Sequence, residues 1–471
     1  MKKFIPAILI LLLICNIFAE DSENPIDGYW EGLLEFQGFD LNFSVEFATI
    51  GENDSIMGLM DIPKQDAFGL NLQNILFVDD SLYFEYDSPI GLAVYAGTYD
   101  EYDNNIMGTF KQNNIEGTFE LTRPVEKEMP FFEVDVRLEL KDVILSGTLT
   151  LPDTVGQFPA ALLVTGSGSQ NRDEQMGRFR PFWTIAMNFA NAGIATLRFD
   201  DPGIGFSEIK GDTKEFAMNV TTEDFADHAW EEFKYLRKHE NIDDKKCGIL
   251  GHSEGGIIAS MLAAKSKKVK FAILMATPAM PGSTIIVDQI EMMMKGSGAS
   301  KEDLERELQL QRLISKAVTE GDIDSRIEDL LREDIAQNME LLPLEALNQI
   351  EDSAKYVEEQ LEIKMTQIEM AWTKFYMSYD PKEAIKDIRC PTLAIFAEKD
   401  MQVNPILSKD LMEKTLENAP TEEYKTITIE DANHHFQPVI IREDGSIKKR
   451  DELMPGFTNI IIKWLQEQFP E

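Results

Sequence analysis

Gly-His-Ser-Glu-Gly, residues 251–255, is where a side chain of this sequence could act as a nucleophile. Serine is a weak nucleophile until a base takes its proton, so Ser253 has meaning only if a histidine and a carboxylate can be brought to it. A Gly-x-Ser-x-Gly also arises by chance in roughly one chain in seven of this length, so its surroundings must decide. The serine has to occupy a strained, sharp turn between a strand and a helix for its Oγ to stand clear of the sheet. CGIL before Ser253 reads as a strand end, and GGIIASMLAA after it reads as a helix. Gly251 and Gly255 then have a physical reason, since a Cβ at either would collide with the neighbouring strand or helix.

Five histidines are available. His228 and His239 fall on the predicted helix before the serine strand and are expected on a solvated surface. His252 is adjacent to Ser253 and is expected to point elsewhere at the turn. His434 and His435 stand in EDANHHFQP, just beyond the last predicted strand, where a loop reaches the carboxyl edge of a parallel sheet. One of this pair is the expected base. For the carboxylate that holds the imidazole tautomer, Asp400 ends AIFAEKDMQV at the carboxyl end of another strand. Its rivals are weaker: Glu398 would lie along that strand, and Asp431 is too local to His434 to orient it from behind. In chain order the set reads Ser253, Asp400, His434, the Ser, acid, His order of α/β-hydrolases.

A tetrahedral intermediate also needs donors for its oxyanion. One is expected from the backbone N–H of Glu254. The other is expected from TGSGSQNRDE after the strand AALLVT, with the Ser167 or Gly168 N–H best placed. Arg172, Asp173, Arg198 and Asp201 are read as ion pairs that fix loops.

These positions need a particular scaffold. Up to Thr122 there is no helical period, only short β-rich runs such as WEGLLEF, LNFSVEFATI and SLYFEY broken by Gly, Asn and Asp. That segment predicts an antiparallel barrel or sandwich over 26–124, with the two GTF repeats paired as a hairpin across Gln112, Asn113 and Asn114. After Arg123-Pro124 strands alternate with helices, which predicts a mostly parallel sheet covered on both faces over 130–471. Thr221 and Asp224 have capping-box spacing at the head of a helix whose Phe225, Ala229, Phe233 and Leu236 recur with helical period. Residues 281–380 break the alternation with long, charged helical runs, among them a continuous one from Leu344 to Met377. This predicts a helical cap inserted in the α/β domain.

Forty-five basic against 83 acidic residues give a net charge of −38, a field that repels phosphate backbones, so nucleic-acid binding is disfavoured. Lys2 and Lys3 precede an apolar run that ends at Ala19, the layout of a secretory signal over residues 1–19, and an exported protein (periplasmic or secreted) is expected. The run from Phe4 to Ala19 is shorter than the ~20 residues of a spanning helix and is interrupted by Asn16, so no membrane span is expected after cleavage. Ile14 stands where a lipoprotein signal needs a small residue ahead of Cys15. Cys247 and Cys390 each sit at a predicted strand with another strand between them; two strand spacings are ~9.6 Å, beyond the ~7 Å a disulfide tolerates. Both are expected as free thiols with packing roles.

LLVTGSGSQNRDE, LRFDDPGIGFSE, GHSEGG, FAEKDMQV and NHHFQ together carry a resemblance to the EstD-like carboxylesterase group of the α/β-hydrolase superfamily, from about Val134 to the end of the chain. The N-terminal β segment, opening IDGYWEGLLEF and closing IEGTFELTRP, is similar to the β-domain of exported members. The resemblance implies an α/β-hydrolase fold with a helical cap insertion, preceded by a small all-β domain. It implies hydrolysis of small-molecule carboxylic esters through an acyl-enzyme, with no cofactor and no metal. The pattern Asn-His-x-Phe-Gln makes His434 the base, and the cap would roof Ser253, with Met292, Met293, Met294, Met365, Met370 and Trp372 as candidates for an acyl pocket or merely for the cap core. Two other readings stay open: a serine peptidase using the same triad, and a binding protein in which the hydrolase portion is a scaffold.

Overall fold

The computed structural model describes residues 24–470 apart from 51–54, 66, 124–128, 297, 341–346, 348–349, 351, 422, 442–446 and 450. The expected export signal and the expected boundary at residue 124 lie outside the described residues.

The β-rich segment forms nine antiparallel strands among the described residues: β1 Gly28–Phe36, β2 Phe39–Ile50, β3 Ser55–Ile62, β4 Ala67–Asn71, β5 Gln73–Val78, β6 Ser81–Ser88, β7 Gly91–Asp100, β8 Asn105–Gln112 and β9 Ile115–Thr122. Their order is β4-β3-β2-β1-β9-β8-β7-β6-β5. Period-2 alternation turns Trp30, Phe43, Phe47, Phe84, Tyr95 and Phe119 to the inside. The two end strands follow one another in the chain, and the Leu72 N–H between them donates to Gly58 O of β3 at 2.9 Å, so the sheet curls nearly shut. The GTF repeats lie in β8 and β9, with Gln112 opposite Ile115 across the Asn113-Asn114 turn. Asn113 takes φ 53°, a left-handed conformation that Asn tolerates. Arg123 leaves this sheet with its guanidinium 3.7 Å from the Trp30 ring centroid and donates to the carbonyls of Pro25, Asp27 and Tyr29.

The second sheet contains β10 Phe132–Glu139, β11 Val143–Leu151, β12 Phe158–Val164, β13 Ala195–Phe199, β14 Glu208–Ile209, β15 Ile242–His252, β16 Ala272–Met275, β17 Thr392–Ala397 and β18 Tyr424–Ile429. Its order is β10-β11-β13-β12-β15-β16-β17-β18, with β14 paired to β11. The first pair is antiparallel, and from β13 to β18 all neighbours run parallel. The parallel strands are short apolar runs such as ATLRF, AILM and TLAIFA because both faces are covered. Helices Thr222–Leu236, Glu254–Lys265 and Pro405–Leu416 pack on one face. Helices Pro181–Asn191 and Phe457–Gln468 pack on the other. This is the α/β-hydrolase fold with an all-β sheet ahead of it.

Local chemistry sets the helix ends. Thr221 and Asp224 form a reciprocal capping box, and the Asn404 side chain caps the helix that opens with Pro405. Between β16 and β17 stand the helices Gly282–Gly296, Lys301–Glu320, Ser325–Glu340, Ser353–Glu369 and Ala371–Ser378, which share a small core of their own around Ile314, Leu331, Ile335 and Leu361. The continuous helix expected from Leu344 to Met377 is interrupted. Met370 takes φ −58° and ψ 139°, ending one helix and starting the next, and Thr373 Oγ1 bonds back to Gln367 O at 2.6 Å across the break.

Cys247 lies within β15 and Cys390 just before β17, with β16 between those strands; both are buried free thiols. No described helix is long and apolar enough to cross a membrane. A bond joins the two parts of the chain where Arg178, in the loop after β12, donates from Nη2 to Pro63 O, just after β3, at 2.9 Å.

Candidate active site

Ser253 follows β15 directly and caps the helix Glu254–Lys265 with φ 53° and ψ −118°, a conformation a serine holds only under constraint. Its N–H donates to Met275 O of β16 at 2.8 Å, which anchors the turn to the sheet. The glycines around it are required by space. A Cβ on Gly251 would lie 2.0 Å from Gly255 O, one on Gly255 2.2 Å from Val164 O, and one on Gly256 1.7 Å from Thr277 Oγ1.

Asp400 follows β17 and is buried. Its Oδ1 accepts the N–H groups of Gln402 and Val403 at 2.7 and 2.8 Å, and its Oδ2 lies 2.7 Å from His434 Nδ1. A carboxylate in that position accepts a hydrogen bond from Nδ1–H and so holds the tautomer in which Nε2 of His434 keeps a lone pair. The rivals are placed elsewhere: Glu398 Oε2 accepts the Asp431 N–H at 2.9 Å, and Lys399 pairs with Glu398. His435 sits beside Gln402, 3.5 Å between Nε2 atoms.

Ser253, His252, His434 and His435 line one cavity of about 250 Å³, together with Gly166 and Ser167 of the loop after β12. Its other walls come from the helical insertion, through Ile285, Ile286, Trp372, Tyr376 and Met377. Trp372 and Tyr376 stack with centroids 5.1 Å apart and planes 12° from parallel. Of the residues considered for an acyl pocket, Trp372 alone is in this lining; Met365 packs in the insertion's core, and Met370 marks the helix break. The methionine that does reach the cavity is Met377.

Of the residues considered for the oxyanion, Ser167 lines the Ser253 cavity, and its hydroxyl bonds Glu254. Gly168 lines a second cavity of about 50 Å³ that shares Gly166 with the first and includes Asp201, His228, Glu232 and Glu254. Glu254 is the first residue of its helix, where backbone N–H groups have no partner within the helix. Its buried carboxylate accepts from Thr222 Oγ1 and from Trp372 Nε1 at 2.8 Å. Burial raises the Glu254 pKa, and the donors Thr222, Ser167 and Trp372 oppose that rise. Burial also pushes Asp201 and Glu232 up to about 8.

Arg172 binds Asp200, while Arg198 and Arg180 both bind Asp173, so these do tie loops by ion pairs. Asp201 differs from its expected role: it accepts from Thr165 Oγ1 at 3.0 Å and the Gln170 N–H at 2.8 Å, fixing the loop by neutral donors. His228 also differs. It is buried, with Nε2 3.2 Å from Asp142 Oδ2, because it sits at the edge of the face defined by Phe225 and Ala229.

His252, expected to point elsewhere at the turn, instead lines the Ser253 cavity, and so does Glu174, which nothing in the sequence singled out. His252 Nδ1 lies 2.7 Å from Glu174 Oε1, and its Nε2 lies 3.0 Å from the backbone oxygen of His434. The same Glu174 oxygen accepts the Gly166 N–H at 2.8 Å. A histidine ending a buried parallel strand must find polar partners, and that requirement was the signal available. Glu174, His252 and His435 bring ligand-type atoms within 4.8 Å of one another. Within the trio, Glu174 and His252 are hydrogen-bonded to each other, and His435 faces the His252 ring with centroids 5.2 Å apart.

Residues 172–437 match the family model described as serine aminopeptidase, S33 (Hydrolase_4). Esterase EstD of Thermotoga maritima is 26% identical over 344 residues, which cover 70% of this chain and 70% of that one. Among solved structures, the alpha/beta hydrolase GrgF from Penicillium sp. sh18 aligns with TM-score 0.43 at 15% identity, over 72% of this chain and 99% of its own. Est1E from Butyrivibrio proteoclasticus aligns with TM-score 0.40 at 14% identity, over 72% and 99%. Because the family match spans more than half of the 471 residues, the chain belongs to the serine aminopeptidase S33 family of α/β-hydrolases.

Proposed function

We propose that this protein is a carboxylesterase-type serine hydrolase that cleaves small-molecule carboxylic esters through Ser253, His434 and Asp400. His434 Nε2 takes the Ser253 proton as Oγ attacks the ester carbonyl, and Asp400 stabilises the imidazolium that forms. The Gly166 N–H is committed to Glu174, so the oxyanion falls to the Glu254 N–H and to the loop amides that follow Gly166, Ser167 first and then Gly168. His434 returns the proton to the leaving alcohol, and a water activated in the same way releases the acid from the acyl-enzyme. Nothing in this sequence of steps calls for a cofactor or a metal.

The lining of the cavity carries the choice of ester over peptide. An aminopeptidase must hold a substrate ammonium, and a free carboxylate is the ordinary partner for one. Glu174 is the one carboxylate lining the cavity among the described residues, and it is taken by Gly166 and His252. The apolar wall of Ile285, Ile286, Trp372 and Met377 suits an acyl or aromatic group instead. The relatives divide in the same way: the family is named for an aminopeptidase, and the Thermotoga relative for an esterase.

Side-by-side turnover of a para-nitrophenyl acyl ester and an aminoacyl para-nitroanilide tests the reading. Ester hydrolysis lost in Ser253→Ala supports it; turnover of the anilide alone makes the protein a peptidase. Export, through the signal-like residues 1–19, belongs to the same proposal, and N-terminal sequencing of protein recovered outside the cytoplasm checks it.

A further inference from the structure

The His252 ring makes two hydrogen bonds that a neutral imidazole cannot donate at once. Nε2 faces the backbone oxygen of His434, which only accepts, so it carries a proton. Nδ1 faces Glu174 Oε1, which already accepts the Gly166 N–H. Imidazole is the stronger base of this pair, so the second proton also belongs to the ring. His252 and Glu174 are both 2% exposed, and charges at such depth persist when paired and hydrogen-bonded.

The three bonds end on different parts of the site. One lies within the loop after β12, one ties that loop to the end of the strand before Ser253, and one reaches the loop that carries His434. We propose that Glu174 and His252 form a fixed carboxylate–imidazolium pair that positions both ends of the reaction, the oxyanion loop through Gly166 N–H and the base loop through the His434 carbonyl. They act through other residues and are positioning residues. The proposal rests on the reading of Ser253 and His434 as nucleophile and base.

The titratable groups that face His252 are Glu174 in contact, His434 and His435 with ring centroids at 4.8 and 5.2 Å, and Asp400 behind His434. Burial disfavours the charged ring, but Glu174, the His434 carbonyl and Asp400 outweigh it, and the His252 pKa is raised. A neutral carboxamide at 174 removes the largest of those supports. His252 would then lose one proton as pH rises, and no atom in the place of Oε1 serves both neighbours: a carboxamide oxygen meets a bare Nδ1, and an NH2 turned there meets the Gly166 N–H.

The test is the rate at which a fluorophosphonate labels Ser253 in the full chain, followed over pH for wild type, Glu174→Gln and His252→Asn. Glu174→Gln is expected to label about tenfold more slowly than wild type near pH 8.5, the loss of one charge-assisted bond, and within about threefold near pH 6, where the ring regains its proton. His252→Asn can serve one acceptor only, and is expected to be slow at every pH with no recovery in acid. Melting curves at each pH give the folded fraction to which the rates are normalised. A Glu174→Gln deficit that is constant over pH overturns the proposal, as does His252→Asn labelling at the wild-type rate, or a deficit that vanishes on normalisation. Absence of label on wild type defeats the nucleophile reading itself, and this proposal with it.

Discussion

The indole N–H of Trp372 donates to Oε1 of Glu254 at 2.8 Å, so the helical insertion is bonded directly to the residue that follows Ser253. Glu254 is anchored from three directions: by Thr222 of the helix Thr222–Leu236, by Ser167 of the loop after β12, and by Trp372 above. The roof of the cavity and the candidate oxyanion donor therefore share one carboxylate.

Trp372→Phe keeps a ring to stack on Tyr376 and removes the donor. The buried carboxylate then lacks one partner, a cost of about 1–2 kcal/mol. The expected outcome is a kcat/KM roughly tenfold lower, with a smaller change in KM than Trp372→Ala produces by deleting the wall itself. Steady-state ester kinetics on the three proteins check it.

His434 and His435 are adjacent, but only His434 has its Nδ1 2.7 Å from Asp400. His434→Ala is expected to lower kcat by about 10⁴-fold or more, the scale on which triad members act. His435→Ala is expected to retain activity within about tenfold. Equal losses, measured as initial rates at one pH, would show that the base is shared.

Glu232 is nearly buried, and burial pushes its carboxyl up to about 8, with the Asp201 charge adding to the rise. The native state therefore keeps a proton that the unfolded chain gives up near 4.5. Its contribution to stability is full below that value and is lost as pH rises through about 8. Glu232→Gln has no proton to lose. The variant and wild type are expected to melt together near pH 4, and the variant is expected to be a few kcal/mol more stable near pH 9, measured by thermal unfolding.

Cys247 and Cys390 are buried, and burial pushes both thiols up to about 12. The thiolate is the reactive form, so neither is expected to react with a disulfide reagent near pH 8 while the protein is folded, and both are expected to react after denaturation. Peptide mapping of the two sites reads this directly.

What was legible in the sequence was local. The apolar strands, the Thr221 capping box, the Asn404-Pro405 helix start and the strained turn at Ser253 each depend on a few consecutive residues. Rotation about a helix axis was less legible. The face drawn through Phe225, Ala229 and Phe233 has its border at His228 and Glu232, and the structure buries both. The methionines at 292–294 belong to a helix whose cavity-facing side, Ile285, Ile286 and Gln289, is set by packing against the rest of the insertion. The helix break at Met370 has no glycine or proline to announce it, yet it aims Trp372 at Glu254. Least legible was Glu174, 78 residues from the histidine it bonds, because a pairing across a loop and a strand has no sequence period.

The two sheets also differ in how their partners are spaced along the chain. In the β-rich segment nearly every strand pairs with its immediate neighbour in sequence; the long-range closure is β1 with β9, where Glu31 meets Thr122. In the α/β segment, β16 finds β17 only after the whole helical insertion, with Ala272 opposite Thr392. Closing a long loop costs entropy before any contact rewards it, and chains rich in local pairings reach their structure sooner. The meander is therefore the part of the molecule equipped to assemble first, one hairpin extending the last, while the sheet that carries Ser253 has to wait for its most distant strands to arrive.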